Sequence, residues 1–304
     1  MLYLTDLSVF IPETIFSIAD VQQETGLSRE MLSVYQIIYG LRTIPVWQSL
    51  DLLSFLEQSI APLAIHYPFS YLIHVHTARF LLPQGLSLAQ KLKNKFEWYE
   101  CLAFSMTQYK CTSFFRALEL LSVLFQKTMI DRALIVTGEI AFTPKLRVIA
   151  RSTISGDAST AVVVSSRGQH HQLLAVLSQF VPGYSQGIYV SDREMQQFDA
   201  QFITRFSELI LKTLLKAGIA LSQISCILPH NVNIPTWKKM ASALSFPIEK
   251  IYLDCVARFG HCFCSDHLIN LHYAIQENRI KAGDYYVMAG CGMGFYLSAS
   301  VFRF

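Results

Sequence analysis

Apolar and polar positions along the chain fall into two recurring textures. Short runs rich in β-branched and aromatic residues predict strands at Leu7 to Ile11, Tyr71 to His76, Ala133 to Thr137, Thr160 to Val164, Leu173 to Val176, Cys226 to Leu228, Tyr285 to Ala289 and Phe295 to Phe302. Between them, helix-length segments run over Ser28 to Tyr35, Val46 to Ala61, Thr112 to Lys127, Phe198 to Ala217, Trp237 to Leu244 and Ser265 to Gln276. Strands that alternate with helices and are apolar throughout belong to a sheet covered on both faces, so the predicted fold class is α/β. Strands at the ends of each half read as hairpin partners, which makes the predicted sheet mixed.

The pattern occurs twice. SYLIHVHTA is a strand, followed after a long insertion by QYKCTSFFRALELL and DRALIVTGE; SCILPHNVN is a strand, followed by ARFGHCFCSDHLINLHYAI and DYYVMAGCG. Each half reads strand, small-residue turn, helix, then Asp and a strand ending in Gly. Cys111 and His261 hold equivalent places, each just before its helix. A duplicated α/β unit sets those two turns side by side across a pseudo-twofold axis. The polar segment SSRGQHHQ (Ser165 to Gln172) is the expected boundary, dividing the chain into 1–168 and 169–304.

Composition sharpens this. The length, 304 residues, is about two domains' worth of chain. With 52% hydrophobic and only 15% charged residues, the chain is not disordered, and a net charge of +3 is too small for a dedicated nucleic-acid binder. No unbroken run of about 18 apolar residues is present. The long uncharged windows 58–78 and 285–302 are broken by His, Gln, Ser, Pro or Gly. The N-terminus MLYLTDLSVF lacks a basic lead and meets Asp6 early, unlike a signal peptide. Seven cysteines, an odd number without framework spacing, read as reduced thiols in a cytoplasmic protein. The apolar excess is assigned to a large core and a subunit interface rather than to a membrane.

Three residues stand out for chemistry. Cys111 precedes a helix that is apolar nearly all round, and a cysteine at a helix N-terminus feels the positive end of the dipole. A buried structural cysteine is the plain alternative. His230 follows a predicted strand, where α/β proteins bind ligands, and His261 follows Gly260 at a helix start. Taken singly, each could equally be an ordinary loop or core histidine. HCFCSDH offers possible metal ligands in His261, Cys262, Cys264, Asp266 and His267, but has neither Cys-x-x-Cys nor His-x-x-x-His spacing. No metal is therefore expected, and Cys262 and Cys264 read as packing residues. AGCGMGF (Ala289 to Phe295) lacks the following helix of a dinucleotide site, though its backbone N–H groups could form half of an oxyanion hole. SGDAST, with Asp157, reads as a plain turn before a strand.

Together these pieces resemble the thiolase superfamily, and within it the ketoacyl-acyl-carrier-protein synthase III-like enzymes. The resemblance covers nearly the whole chain: IPETIFSIADV, YGLR, QYKCTSFFRALEL, GDASTAVVVS, PHNVN, FGHCFCSD and GCGMGFYLSA fall in the family's order. It implies the thiolase fold, two duplicated βαβαβ halves in a five-layered αβαβα sandwich, the first carrying the nucleophile and the second the two histidines. It implies an acyltransferase and a homodimer, without a bound cofactor, whose substrates are coenzyme A or phosphopantetheine thioesters, with acyl-CoA or an acyl carrier protein as partner. Carried over, Cys111 is the nucleophile, His230 the matching histidine, and His261 stands in place of the family's asparagine. Cys111 and Met293, or its neighbour Gly292, supply oxyanion N–H groups, and Asn233 joins the substrate-binding residues. The implied reaction loads an acyl group on Cys111 and condenses it with a malonyl-type thioester. Two neutral histidines would hydrogen-bond the developing enolate, as in a specialised lipid or polyketide pathway. The histidine at 261 keeps open a non-condensing transfer to an alcohol or amine, and a silent partner subunit is a further alternative. The family's coenzyme A clamp would fall near Val34 and Ile38, neither of which can stack or pair as the clamp does. Lys91, Lys93 and Lys95 (KLKNK) read as a solvated loop or as a contact for an acidic carrier protein.

Overall fold

The computed structural model describes all residues except 64–67, 80, 84, 128–129, 185, 187–188 and 190, together with the side chain at 24; part of the uncharged window 58–78 therefore lies outside the described residues. The first half holds β1 (Tyr3–Phe10), β2 (Ile15–Ser17), α1 (Ile18–Thr25), α2 (Arg29–Ser33), β3 (Thr43–Pro45), α3 (Leu52–Ile60), β4 (Tyr71–Val75), α4 (Leu88–Lys95), β5 (Leu102–Met106), α5 (Ser113–Lys127), β6 (Arg132–Glu139), α6 (Pro144–Arg147), β7 (Val148–Ile149), β8 (Thr153–Ile154) and β9 (Ala158–Ser165). The second half holds β10 (Gln172–Phe180), α7 (Asp192–Ala217), β11 (Ile224–Pro229), α8 (Ile234–Leu244), α9 (Asp254–Phe259), α10 (Asp266–Gln276), β12 (Tyr285–Gly292) and β13 (Tyr296–Arg303).

The duplication is visible in the pairing. In the first half β4 runs parallel to β6, β6 antiparallel to β9, and β9 antiparallel to β1. In the second, β11 runs parallel to β12, β12 antiparallel to β13, and β13 antiparallel to β10. β5 extends only the first sheet, parallel to β4. The two sheets of the sandwich meet at one edge: β1 and β10 pair antiparallel at Tyr3 and Gln172, giving one nine-stranded order β11-β12-β13-β10-β1-β9-β6-β4-β5.

Three apolar clusters fill the layers. α3 and α4 cover the outer face of the first sheet through Phe55, Leu56, Leu88 and Leu92. α7 and α8 cover the outer face of the second through Phe206, Ile210, Trp237 and Met240. Between the sheets, α5 and α10 share a core in which Phe114, Phe115, Leu118 and Leu121 are wholly buried, each contributing about 1.5–3 kcal/mol. α5 packs on β10 as well as on β4, and α10 on β1 as well as on β11, so each central helix serves both halves.

Capping sets the element ends where periodicity alone misplaces them. α3 begins at Leu52, well after Val46, because the Asp51 carboxylate accepts from the N–H groups of Leu53 and Ser54. α7 begins at Asp192 rather than Phe198, behind a Ser191–Glu194 capping box. The segment expected as a loop at KLKNK is α4, where Lys93 Nζ donates to the Cys101 carbonyl (2.7 Å) and Lys95 pairs with Glu57 (2.7 Å). Asp157 is no plain turn residue. Its fully buried carboxylate accepts from the N–H groups of Trp47 and Ala141 and pairs with Arg147 at 2.9 Å.

The halves approach closely at one seam. The His261 N–H donates to the Ile154 carbonyl, and the Gly156 N–H donates to the His261 carbonyl, both at 3.1 Å. Gly260 has φ of +61°, and a Cβ there would lie 2.5 Å from the Ile154 carbonyl oxygen. Gly260→Ala is therefore expected to lose roughly 2–4 kcal/mol, read as a lowered urea midpoint. An unchanged midpoint would show that the seam tolerates separation.

Candidate active site

Cys111 lies on a 3₁₀ turn, Lys110–Thr112, that feeds directly into α5. The turn is held by the Thr112 hydroxyl donating to the Tyr109 carbonyl (2.8 Å) and by the Ser113 hydroxyl accepting from the Tyr109 N–H (3.1 Å). His261 arrives from the seam, and its Nε2 lies 3.2 Å from Cys111 Sγ. Its Nδ1 lies 2.6 Å from Asp266 Oδ2. His230 ends β11; its ring centroid is 6.4 Å from that of His261. All three proposed residues thus converge, although Cys111 and His261 are 150 positions apart.

Asp266 is the member that sequence reasoning passed over, having weighed it only as a metal ligand. The carboxylate is fully buried, and it also accepts from the Asn231 N–H at Oδ2 and from the Cys262 N–H at Oδ1, each at 2.6 Å. Burial alone would depress the His261 pKa; the adjacent Asp266 and then Cys111 overcome it and hold His261 well above the usual range. Asp266 thus favours the protonated form of His261 and makes its Nε2 a good acceptor for a proton. His230 has the opposite character. Burial, then His261 and His267 nearby, push its pKa well down. Its Nδ1 accepts from the Cys291 N–H (2.7 Å), so the proton sits on Nε2, which is buried and has no partner among the described residues.

The remaining HCFCSDH side chains are engaged elsewhere. Cys262 Sγ lies 3.6 Å from the Phe259 carbonyl, Cys264 Sγ 3.2 Å from the Lys110 carbonyl, and His267 Nε2 3.1 Å from the Ala289 carbonyl. Cys262 and Cys264 pack against the turns that carry His261 and Cys111.

Cys111, His230 and His261 open on one cleft of about 200 Å³, with Gly292 and Met293 beside them. A Cβ at Gly292 would strike the Tyr109 carbonyl, so only glycine lets the end of β12 lie against the nucleophile's turn. Ile149, Arg151 and Ser152 line one wall; Met195, Phe198 and Phe202 of α7 line another. The first wall is pinned by three side chains. The Tyr35 hydroxyl donates to the Ile149 carbonyl (3.2 Å), the Tyr39 hydroxyl to the Arg151 carbonyl (3.0 Å), and Asn233 Nδ2 to the Ser152 carbonyl (3.0 Å). Asn233, expected to bind substrate, spends its other amide atom capping α8, where Oδ1 accepts from the Thr236 N–H (2.9 Å). Asn before Ile-Pro is a readable N-cap signal. Val34 and Ile38, where the family's clamp would fall, bound a π-helical turn whose Ile37 and Ile38 are exposed.

Burial makes several histidines acid-sensitive. It lowers the pKa of His74 to about 3 and of His76, His171 and His267 to about 4, and His230 moves the same way. Between pH 6.5 and about 4 the unfolded chain takes protons that these folded sites refuse, so stability falls as pH falls, by up to about 1.4 kcal/mol per pH unit for each group. Glu139 acts oppositely. Burial raises it to about 7 despite the N–H groups of Thr77 and Ala78, so its folded form gains a proton first. The five lowered histidines outweigh Glu139 and His261, and the urea midpoint is expected to be lower at pH 5 than at pH 7. His261, raised, adds stability below about 6.5 that is lost as pH climbs through its folded value.

Comparison with known proteins agrees with this architecture. Residues 214–304 match the family described as 3-oxoacyl-[acyl-carrier-protein (ACP)] synthase III, C terminal. The chain is 25% identical over 203 residues to the β-ketoacyl-[acyl-carrier-protein] synthase III of Aquifex aeolicus, a stretch spanning 64% of this chain and 64% of that relative's length. The solved structure of ChlB3, an acyltransferase, has a TM-score of 0.85 at 22% identity, covering 99% of this chain and 97% of that one. OleA of Xanthomonas campestris, with bound lauric acid and lauroyl-CoA, has a TM-score of 0.82 at 13% identity, covering 100% and 99%. The fold is the thiolase fold. Within that fold, the chain is similar to ketoacyl synthase III in its C-terminal part and to the Aquifex aeolicus relative over 203 residues. Among the described residues, no helix is long and apolar enough to cross a membrane.

Proposed function

We propose that this protein is an acyltransferase that takes an acyl group from a coenzyme A or carrier-protein thioester onto Cys111 and passes it to a second substrate. The observation that carries this reading is the Cys111–His261–Asp266 line, 3.2 Å and 2.6 Å long, at the floor of the cleft. His261 takes the thiol proton as Cys111 attacks the thioester carbonyl, and returns it to the departing thiolate. His230 Nε2–H supplies a donor for the carbonyl oxygen as it becomes negative.

The same line favours one fate for the acyl group. Once Cys111 is acylated, Asp266 still holds the Nδ1 proton of His261, leaving Nε2 as a base toward an incoming hydroxyl or amine. Transfer to such an acceptor balances without other reagents: the acceptor's proton goes to His261 and then to the Cys111 sulfur. Condensation with a malonyl-type thioester in a specialised lipid or polyketide pathway is the second reading, supported by the unpartnered His230 Nε2–H and by the synthase relatives. The test is to offer the acylated protein a malonyl thioester and, separately, small alcohols and amines. Acyl transfer without carbon dioxide release is expected. Carbon dioxide release with a 3-oxoacyl product overturns the first reading in favour of condensation. A chain that never acquires acyl mass sinks both and leaves the silent-subunit alternative.

The open backbone edge of β5, which carries the exposed Leu102, supports a homodimer formed by antiparallel pairing of two copies.

A further inference from the structure

Three histidines surround the reacting centre, and the roles above use two. We infer that His267, on the first turn of α10, is a positioning residue for His230. The inference rests on the proposed role of His230 as the donor to the thioester carbonyl.

The Ala289 carbonyl accepts twice: from the His230 N–H at 3.2 Å and from His267 Nε2 at 3.1 Å. Two residues further along the same strand, the Cys291 N–H donates to His230 Nδ1 at 2.7 Å. The end of β12 therefore grips His230 by backbone and ring, and His267 is the side chain that fixes that strand end from beneath. Its ring is wedged edge-on against Phe115 of α5 (4.8 Å between centroids), on the helix that begins after Cys111. Gly290 makes room, since a Cβ there would lie 2.9 Å from His267 Nε2. A carbonyl acceptor requires the proton on Nε2, which leaves His267 Nδ1 buried and without a partner among the described residues. An apolar residue would fill this site without that penalty, so the retained imidazole is explained by the bond it makes. Burial, which lowers its pKa to about 4, keeps that neutral donor form at working pH.

The test compares full-length wild type, His230→Ala, His267→Phe and His267→Gln. Two readouts are used: single-turnover acylation of Cys111 by lauroyl-CoA or acetyl-CoA, followed by intact mass, and histidine ¹⁵N NMR of ring protonation. His267→Phe is expected to slow acylation roughly 10- to 100-fold with little change in KM and to disturb the Nε2–H signature of His230. His267→Gln, whose amide can donate to the same carbonyl, is expected to stay within about threefold of wild type. Equal losses in the Phe and Gln variants, or a Phe variant with wild-type rate and an undisturbed His230 signal, overturn the inference. Should His267→Phe not fold, the wild-type spectrum decides: an Nδ1–H form of His267 excludes the bond to Ala289. A His230→Ala variant at wild-type rate instead defeats the role assigned to His230, and the NMR arm still judges His267.

Discussion

Cys111→Ala should abolish the acyl adduct in intact-mass measurements and reduce turnover by about 10,000-fold or more. The size follows from the kind of group removed. Histidine and carboxylate assist steps that begin with attack by the nucleophile, so its loss removes the contribution of the whole set rather than one share of it. The variant should fold, because the site is a turn held by Thr112, Ser113 and Tyr109 and not by the sulfur. A Cys111→Ala protein that still gains acyl mass from a thioester donor would place the nucleophile elsewhere among the seven cysteines.

Asp266→Asn is the second large effect. The carboxylate accepts three hydrogen bonds, from His261 Nδ1, the Asn231 N–H and the Cys262 N–H. An amide of the same shape has one acceptor oxygen and turns an NH₂ group toward a donor, leaving a buried bond unmade. The expected loss of stability is about 2–4 kcal/mol. Chemistry suffers more. Without the negative charge, His261 loses what holds it protonated against burial, and its tautomer is no longer fixed. Acylation should slow roughly 100- to 10,000-fold, and iodoacetamide should label Cys111 more slowly at pH 7. Wild-type acylation and labelling rates in a folded Asp266→Asn protein would show that His261 acts without its carboxylate.

The legible part of this site was the part with a local signature. Cys111 before an apolar helix, His230 after an apolar run and His261 after a glycine each marked an element end, and duplication placed the two turns side by side. Asp266 had no such mark. It reaches His261 because the turn Phe263–Ser265 folds back, with Phe263 at φ +54°, a conformation no residue pattern announces for phenylalanine. Screening HCFCSDH for metal spacing set aside the His–Asp pair that the turn creates. Asn233 does line the cleft, and its place before Ile-Pro also announced its second task, capping α8 while holding the Ser152 carbonyl. In the fold, α4 and β5 lay within the long insertion of the first half, where short polar and mixed runs gave no clear period. The two sheets join where the Leu173 N–H donates to the Leu2 carbonyl and the Leu4 N–H to the His171 carbonyl, around the Tyr3–Gln172 pair, beyond the reach of any local pattern.

The cleft has one wall from each half, Ile149 to Ser152 on one side and α7 on the other. It is a slot between two plates, bolted to each other by the backbone hydrogen bonds at Gly156 and His261. Trimming Phe198 or Phe202 carves one plate, whereas a change at the bolts moves both.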